Sequence, residues 1–295
     1  MKISIVTSYY NRKNLFIKTL ESISRQVNAD EISLEVIAVD DGSDANERLE
    51  DLQPIFPFLK IIRIEKKDKW YTNSCIPFNV GLTQAQGEII ILQNPECLHF
   101  GNIIAYTLNN IKKNTYLSFG CYSLEEEPTD NIDEYLAHPK KLEKLICENN
   151  VENTRDGSNS WYNHSVIRPC AYHFCCAILK EDLLDLGGFD PLYANGVAYD
   201  DNELLHRIKL KKMNIEIIDN EIVLHQNHYK RKSSYNNPVA LNKKALHKRE
   251  TLIEKNQKLF EEYTLNKKDW KVKGIPIYKV KRPIKFLFNK LLRRI

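Results

Sequence analysis

Apolar positions in the first hundred residues form short unbroken runs separated by stretches with helical spacing. Ile3 to Ser8 reads as a buried strand, and Leu15, Ile17, Leu20 and Ile23 recur on one face of a helix predicted over Arg12 to Gln26. Leu34 to Val39 is a second strand-like run that stops at Asp40-Asp41-Gly42-Ser43-Asp44, and Lys60 to Ile64 is a third. Asn73 to Gln84 again has helical spacing, Gly87 stops it, and Glu88 to Leu92 leads as a strand into Gln93-Asn94-Pro95-Glu96. Strands alternating with helices predict an α/β fold built on a mixed, mostly parallel sheet flanked by helices. Parallel strands carry their binding loops at their carboxyl ends. Thr7 to Asn11, Asp40 to Asp44 and Gln93 to Glu96 should therefore converge on one edge.

The pattern weakens from Tyr116 to Pro169, where an acidic Glu125-Glu126-Glu127, a helix around Asp133 to Asn149 and a polar link around Asn153 to Ser160 predict an irregular insertion over the site. A strand at Cys175 to Leu179 precedes the turn Gly187-Gly188-Phe189-Asp190 and a helix through Asn202 to Leu210. Ile215 to Ile218 and Ile222 to Leu224 read as two short strands before His225-Gln226-Asn227-His228-Tyr229, and Pro238 to Tyr263 as a long charged helix. The expected division is a body over residues 1–230, with a first part over 1–100 and a second over 115–230, and a basic helical extension over 231–295.

A chain of 295 residues with 42% hydrophobic content can bury the core of one large domain or two unequal ones. Its 43 basic residues are offset by 39 acidic ones, and a net charge of +4 does not imply a nucleic-acid partner. The excess is concentrated at the end, where Lys267 to Ile295 holds eleven Lys or Arg against the single acid Asp269. Lys279 to Ile295 interleaves those cations with Ile284, Phe286, Leu287, Phe288, Leu291, Leu292 and Ile295. That is the pattern of a basic amphipathic helix lying on an anionic membrane, docking on the body, or meeting a second subunit in a homo-oligomer. Seven cysteines lack any spacing that suits zinc, which reads as reduced buried thiols. With no secretion-signal pattern and no apolar run near the ~18 residues of a membrane span, the expected location is cytoplasmic, with possible peripheral membrane contact, and the sequon Asn163-His164-Ser165 unused.

A carboxylate pair at a strand end can accept hydrogen bonds from the N–H groups of a nucleobase and the hydroxyls of a ribose. Asp40 and Asp41 offer this, although the same residues also suit a capped turn with solvated acids. Arg12 can cap a helix or approach a phosphate. Trp161 heads Trp161-Tyr162-Asn163-His164, whose ring can pack on a sugar face or belong to a core cluster. Asp200, Asp201 and Glu203 would favour the positive end of a helix dipole whether or not they carry chemistry.

SIVTSYYNRKNLFIKTLESISRQ followed by EVIAVDDGSD resembles the opening of family 2 glycosyltransferases, inverting enzymes of the GT-A fold. Gly187-Gly188-Phe189-Asp190 with Tyr199-Asp200-Asp201-Asn202-Glu203-Leu204 is similar to the acceptor side of that family, and the two together cover roughly residues 1–230. The resemblance implies a GT-A-like, Rossmann-like nucleotide-binding sheet and a nucleotide-sugar donor, expected to be UDP-linked, with a glycan, protein or lipid hydroxyl as acceptor. It implies that Thr7, Tyr9, Asn11, Arg12, Asp40 and Asp41 bind the donor, that Asp201, beside Asp200, is the catalytic base, and that Gly188 and Phe189, with Trp161, shape the acceptor side. In this family the strand matching Glu88 to Leu92 ends in Asp-x-Asp, which binds a divalent cation. Here Gln93-Asn94-Pro95-Glu96 stands instead. Glu96 is then the expected ligand for Mn²⁺ or Mg²⁺, with Gln93 and Asn94 as neutral helpers and His225, ahead of His228, as a second ligand. The alternatives are a catalytically silent nucleotide- or glycan-binding scaffold of the same fold and a nucleotidyltransferase, for which Arg12 and Lys13 make a poor phosphate loop.

Overall fold

The computed structural model describes residues 2–26, 33–229 and 243–275. The predicted basic helix from Lys279 to Ile295, and the start of the helix expected from Pro238, lie outside the described residues. Nine strands form one sheet in the order β3-β2-β1-β4-β8-β6-β9-β5, with β7 paired to β6 off that path. They are β1 (Ile3–Tyr9), β2 (Leu34–Asp40), β3 (Leu59–Arg63), β4 (Ile89–Gln93), β5 (Cys97–Phe100), β6 (Thr115–Ser123), β7 (Ser160–Asn163), β8 (Cys175–Leu179) and β9 (Asn214–His225). The first four pair in parallel, β4 to β8 and β8 to β6 are antiparallel, and β6 to β9 is parallel again.

Helices cover both faces, which is why β1, β2 and β4 read as unbroken apolar runs. Ile3, Ile5, Val36, Ala38, Ile89 and Ile91 join a core beneath α1 (Lys13–Ser24) and α3 (Ile103–Asn110). Val6, Ile37, Val39, Ile90 and Leu92 point the other way, under α2 (Cys75–Gln84), α7 (Lys180–Leu186) and α8 (Asp200–Leu210). A third core gathers Leu98, Tyr122, Trp161 and Leu224 beneath α5 (Ile132–Ala137) and α6 (Pro139–Glu148), which follow the short α4 (Glu126–Asp130).

Three expectations change. Residues 115–123 are not irregular: β6 is buried along its whole length between β8 and β9, but Ser118, Gly120 and Ser123 interrupt the apolar run that would have marked it. The helix expected over 133–149 is two, because Pro139 begins α6 and lacks the N–H that would continue α5. The two strands at 215–224 are one, β9, whose pairing with β6 shifts register after Phe119. Beyond residue 242, α9 (Lys243–Glu262) lies against the body: Asn256 donates its side-chain amide to the carbonyls of Tyr193 and Ala198. No described helix is long and apolar enough to cross a membrane.

Candidate active site

The loops after β1, β2 and β4 do meet, and hydrogen bonds tie them together. Asn11, at a left-handed φ of 46°, donates its amide to Asp44 Oδ2 at 2.8 Å, while the Asp44 N–H donates to Asn11 Oδ1 at 2.8 Å. The Asp41 N–H donates to the Tyr9 carbonyl. Asp40 is wholly buried and has both carboxylate oxygens engaged: Oδ1 accepts from the Ser43 N–H at 2.8 Å and Oδ2 from Arg63 Nη1 at 2.5 Å. Asp41 accepts from the Tyr71 hydroxyl at 2.6 Å and from the Lys69 ammonium. Burial pushes its carboxyl above the usual aspartate value, against the pull of Lys69 and Tyr71.

Several residues expected at the donor or acceptor turn inward instead. Thr7 and Tyr9 share the face of β1 that packs on α1. The Thr7 hydroxyl is buried without a partner, and the Tyr9 ring lies against Phe16 with its hydroxyl donating to the Glu47 carbonyl at 2.6 Å. Strand alternation leaves the next residue, Tyr10, at the loop, with Lys69 Nζ 5.3 Å from its ring centre. Gln93 is buried; it donates to the Cys97 carbonyl at 2.7 Å, and its Oε1 lies 2.7 Å from His99 Nε2. Asn94 is half-buried, and its N–H donates to the Phe174 carbonyl. Trp161 packs edge-on to Tyr122, and its indole N–H donates to Asn150 Oδ1. Phe189 is wholly buried and stacks on Phe78, while Gly188 at φ 72° abuts Asn79 and Ile275. The rings of Trp161 and Phe189 are core, so neither presents a face to a sugar.

Glu96 stands in the short turn between β4 and β5, and β5 pairs antiparallel with β9 so that Cys97 lies opposite His225. That register brings the carboxylate to the histidines after β9. Glu96 Oε1 is 3.2 Å from His225 Nε2 and 3.4 Å from His228 Nε2, and Oε2 accepts from Arg12 Nη1 at 2.6 Å. Burial alone would raise the Glu96 carboxyl, but Arg12, then His228 and His225, reverse this and hold it well below the ordinary range. One donor atom from each of Glu96, His225 and His228 lies within 4.8 Å of the others. Donor separations of 3.2 and 3.4 Å suit a cation with bonds of about 2.0–2.2 Å. A carboxylate with two imidazoles suits a first-row divalent cation better than the oxygen-seeking Mg²⁺. His225 Nδ1 is buried without a partner. His228, ranked below His225 on sequence, joins the cluster on equal terms.

The second group of candidate side chains opens α8. Ala198 and Tyr199, both at left-handed φ (58° and 67°), make a strained turn into the helix. The amides of Asn73 and Asn256 hold it by donating to the Ala198 carbonyl. Asp200 is buried, accepting from Asn73 Nδ2 at 3.1 Å and the Ser74 hydroxyl at 3.0 Å. Burial, then the Asp201 charge, raises its carboxyl, with His173, Asn73 and Ser74 opposing. Asp201 keeps 32% of its side chain exposed and meets His173 Nδ1 through Oδ1.

His173 was absent from the sequence reading because it falls in a short loop of no recognisable pattern before β8. Its only signal is two aromatic neighbours, Tyr172 and Phe174. The loop joins the two groups: His173 faces Asp201, and Phe174 packs on Tyr162 at 5.2 Å and on His225 at 6.2 Å. Consecutive residues are ~3.8 Å apart at Cα, so one short loop touches both groups.

Solved structures share the chain path at low identity. TarS 1–349 of S. aureus is 15% identical, with a TM-score of 0.52 over 99% of this chain and 79% of that one; its complex with UDP gives 16%, 0.52, 90% and 74%. The Pyrobaculum calidifontis mannosyltransferase PcManGT, solved with GDP-Man and Mn²⁺, is 16% identical with a TM-score of 0.48 over 76% of this chain. This chain spans 56% of the length of that mannosyltransferase and 38% of a longer TarS chain. No curated protein matches the sequence. The profile of Glycosyl transferase family 2 matches residues 4–170, more than half of the chain and all three converging loops, and the chain therefore belongs to that family.

Proposed function

We propose that this protein transfers a sugar from a nucleoside-diphosphate donor, a UDP-sugar, to a hydroxyl of a glycan, protein or lipid, with inversion at the anomeric carbon. The observation that supports this best is that one loop, Tyr172 to Phe174, touches both the charged cluster Arg12–Glu96–His225–His228 and the acid pair at the start of α8. In this reading Asp41 and Tyr10 meet the nucleoside, while Asp40, fixed by Arg63 and Ser43, stiffens the loop that presents them. The diphosphate lies against Arg12 and the two histidines. Glu96, His225 and His228 would hold Mn²⁺, which when bound supplies positive charge to the diphosphate. Asp201 accepts the proton of the attacking hydroxyl.

A metal-free variant of this reading has one observation in its favour, the 2.6 Å contact of Arg12 with Glu96, because a guanidinium and two imidazoles can themselves neutralise a diphosphate. The deciding experiment is a thermal-shift panel of nucleoside diphosphates and nucleotide sugars with and without Mn²⁺, followed by donor hydrolysis. UDP should stabilise the protein. Asp201→Asn should keep that stabilisation while hydrolysis falls by about 10²–10⁴-fold, the usual worth of a general base. His225→Ala with His228→Ala should abolish any Mn²⁺ increment. Activity that survives EDTA selects the metal-free variant. Tight UDP binding without turnover selects a silent scaffold, and no stabilisation by any nucleotide would sink the donor site.

A further inference from the structure

We infer that His173 is a positioning residue for the transfer step, holding Asp201 by one oxygen so that the other is turned to the acceptor hydroxyl. The inference rests on Asp201 being the base proposed above. The imidazole is buried with its plane across two rings: Phe78 at 5.0 Å and 89°, and Phe189 at 5.1 Å and 69°. Packed this way, the ring has no room for another rotamer. Its Nδ1 meets Asp201 Oδ1, to which the His173 backbone N–H also donates at 3.4 Å. Its Nε2 lies 4.0 Å from Asp200 Oδ2, an acid already fixed by Asn73 and Ser74. One imidazole thus spans two adjacent carboxylates, one buried and satisfied and the other with a third of its side chain exposed, at 32%. Phe189 gains a role here that the sequence did not suggest: it supports His173 and does not face the acceptor.

The ring's surroundings favour its charged form. Asp201 and Asp200 face it from α8; the Cys75 thiol of α2 lies near Asp200, and the Tyr116 and Tyr172 hydroxyls lie near Asp201. Burial works against the imidazolium, but Asp201 and then Asp200 outweigh it and raise the imidazole above its ordinary 6.5. In the step itself the acceptor oxygen bonds to the anomeric carbon and its proton passes to Asp201 Oδ2. The bond from that carbon to the phosphate oxygen breaks, and its electron pair leaves on the nucleoside diphosphate. His173 keeps its protons throughout, screening Asp201 from Asp200 and fixing the carboxylate's orientation.

The test compares wild type, His173→Leu, His173→Asn and Asp201→Asn in the full chain, with thermal melts as a folding control. His173→Leu should lower kcat by about 30-fold or more with the donor KM changed by less than about two-fold. The acid limb of its rate profile should move to higher pH, because the carboxylate has lost a neighbouring cation. His173→Asn can place its amide N–H near the site of Nδ1; it should recover much of kcat while leaving the acid limb displaced. Imidazole ¹⁵N spectra need no turnover: His173 should titrate above an ordinary imidazole in wild type and lower in Asp201→Asn. Wild-type rate and pH profile in His173→Leu, or a ring whose titration is indifferent to Asp201→Asn, would overturn the role of His173 alone. Full activity in Asp201→Asn would overturn the base assignment, and the positioning role with it.

Discussion

Glu96 carries its charge where a lone carboxylate would be costly, and it persists because three cationic or proton-bearing groups surround it. The consequence for stability has a definite sign. A glutamate whose folded value is depressed binds fewer protons in the native state than in the unfolded chain. Its contribution is complete above the ordinary 4.5 and is lost as pH falls from there through the lower folded value. His173 runs the other way: its contribution is complete below 6.5 and fades as pH rises through its raised folded value. Urea denaturation from pH 3 to 9 should therefore give His173→Leu a flatter alkaline side than wild type. Glu96→Gln should flatten the acid side and cost about 3–5 kcal/mol near neutrality, since it strands buried positive charge. An unchanged acid limb in Glu96→Gln would mean that other carboxylates dominate.

At the scale of elements, the site depends on how closely α2 presses on the sheet. Gly81 lies in mid-helix, where alanine would ordinarily be better by roughly 0.5–1 kcal/mol. A Cβ there would stand 2.4 Å from Val6 Cγ1 and 3.1 Å from Val39 Cγ2, on the strands that end in the donor loops. Gly81→Ala should therefore destabilise by about 1–3 kcal/mol in spite of helix propensity, as overpacking does. A urea midpoint above wild type would show that α2 can lift at no cost. The hydrophobic pattern predicted β1, β2 and β4 as unbroken apolar runs whose ends are marked by polar turns. It missed β5 and β6, since the four residues of β5 are too few to show a run and Ser118, Gly120 and Ser123 break up β6.

Across the whole molecule, one buried ion-pair network ties the chain beyond α9 to the catalytic body. Arg207 is wholly buried; it donates to Glu203 at 2.7–2.9 Å and to the carbonyls of Leu186 and Gly188 at 2.7 Å. Lys267 reaches Asp190 at 2.7 Å and Glu203 at 3.1 Å, and the N–H groups of Val272 and Gly274 donate to Leu186 and Gly187. The Gly-Gly-Phe-Asp turn under His173 is thus clamped by residues some eighty positions later. Arg207→Leu leaves Glu203 as a buried charge with only Lys267 and should cost about 3–5 kcal/mol, read as a lowered Tm. A fall in kcat for the folded fraction would accompany it if the turn transmits to His173. Arg207→Leu with Glu203→Leu should recover stability without restoring the clamp.

Residue order alone determined the α/β class, the three loops and their shared edge, because hydrophobic periodicity and strand-end placement are local properties of the chain. It also supplied Asp40 and Asp41, Glu96, Asp201 and His225 as candidate chemistry. Which way each side chain faces was a different matter. Thr7, Tyr9 and Gln93 turn inward, Tyr10 turns outward, and Asp40 is committed to Arg63; each depends on which neighbour packs on that face. The pairing of β5 with β9 delivers His225 and His228 to Glu96 across sequence separations of 129 and 132, and no short-range pattern encodes that register. His173 likewise gains its meaning only from α8 packing beside β8. The carboxylates were legible as residues, while their partners, and therefore their charge states, were decided by tertiary contacts.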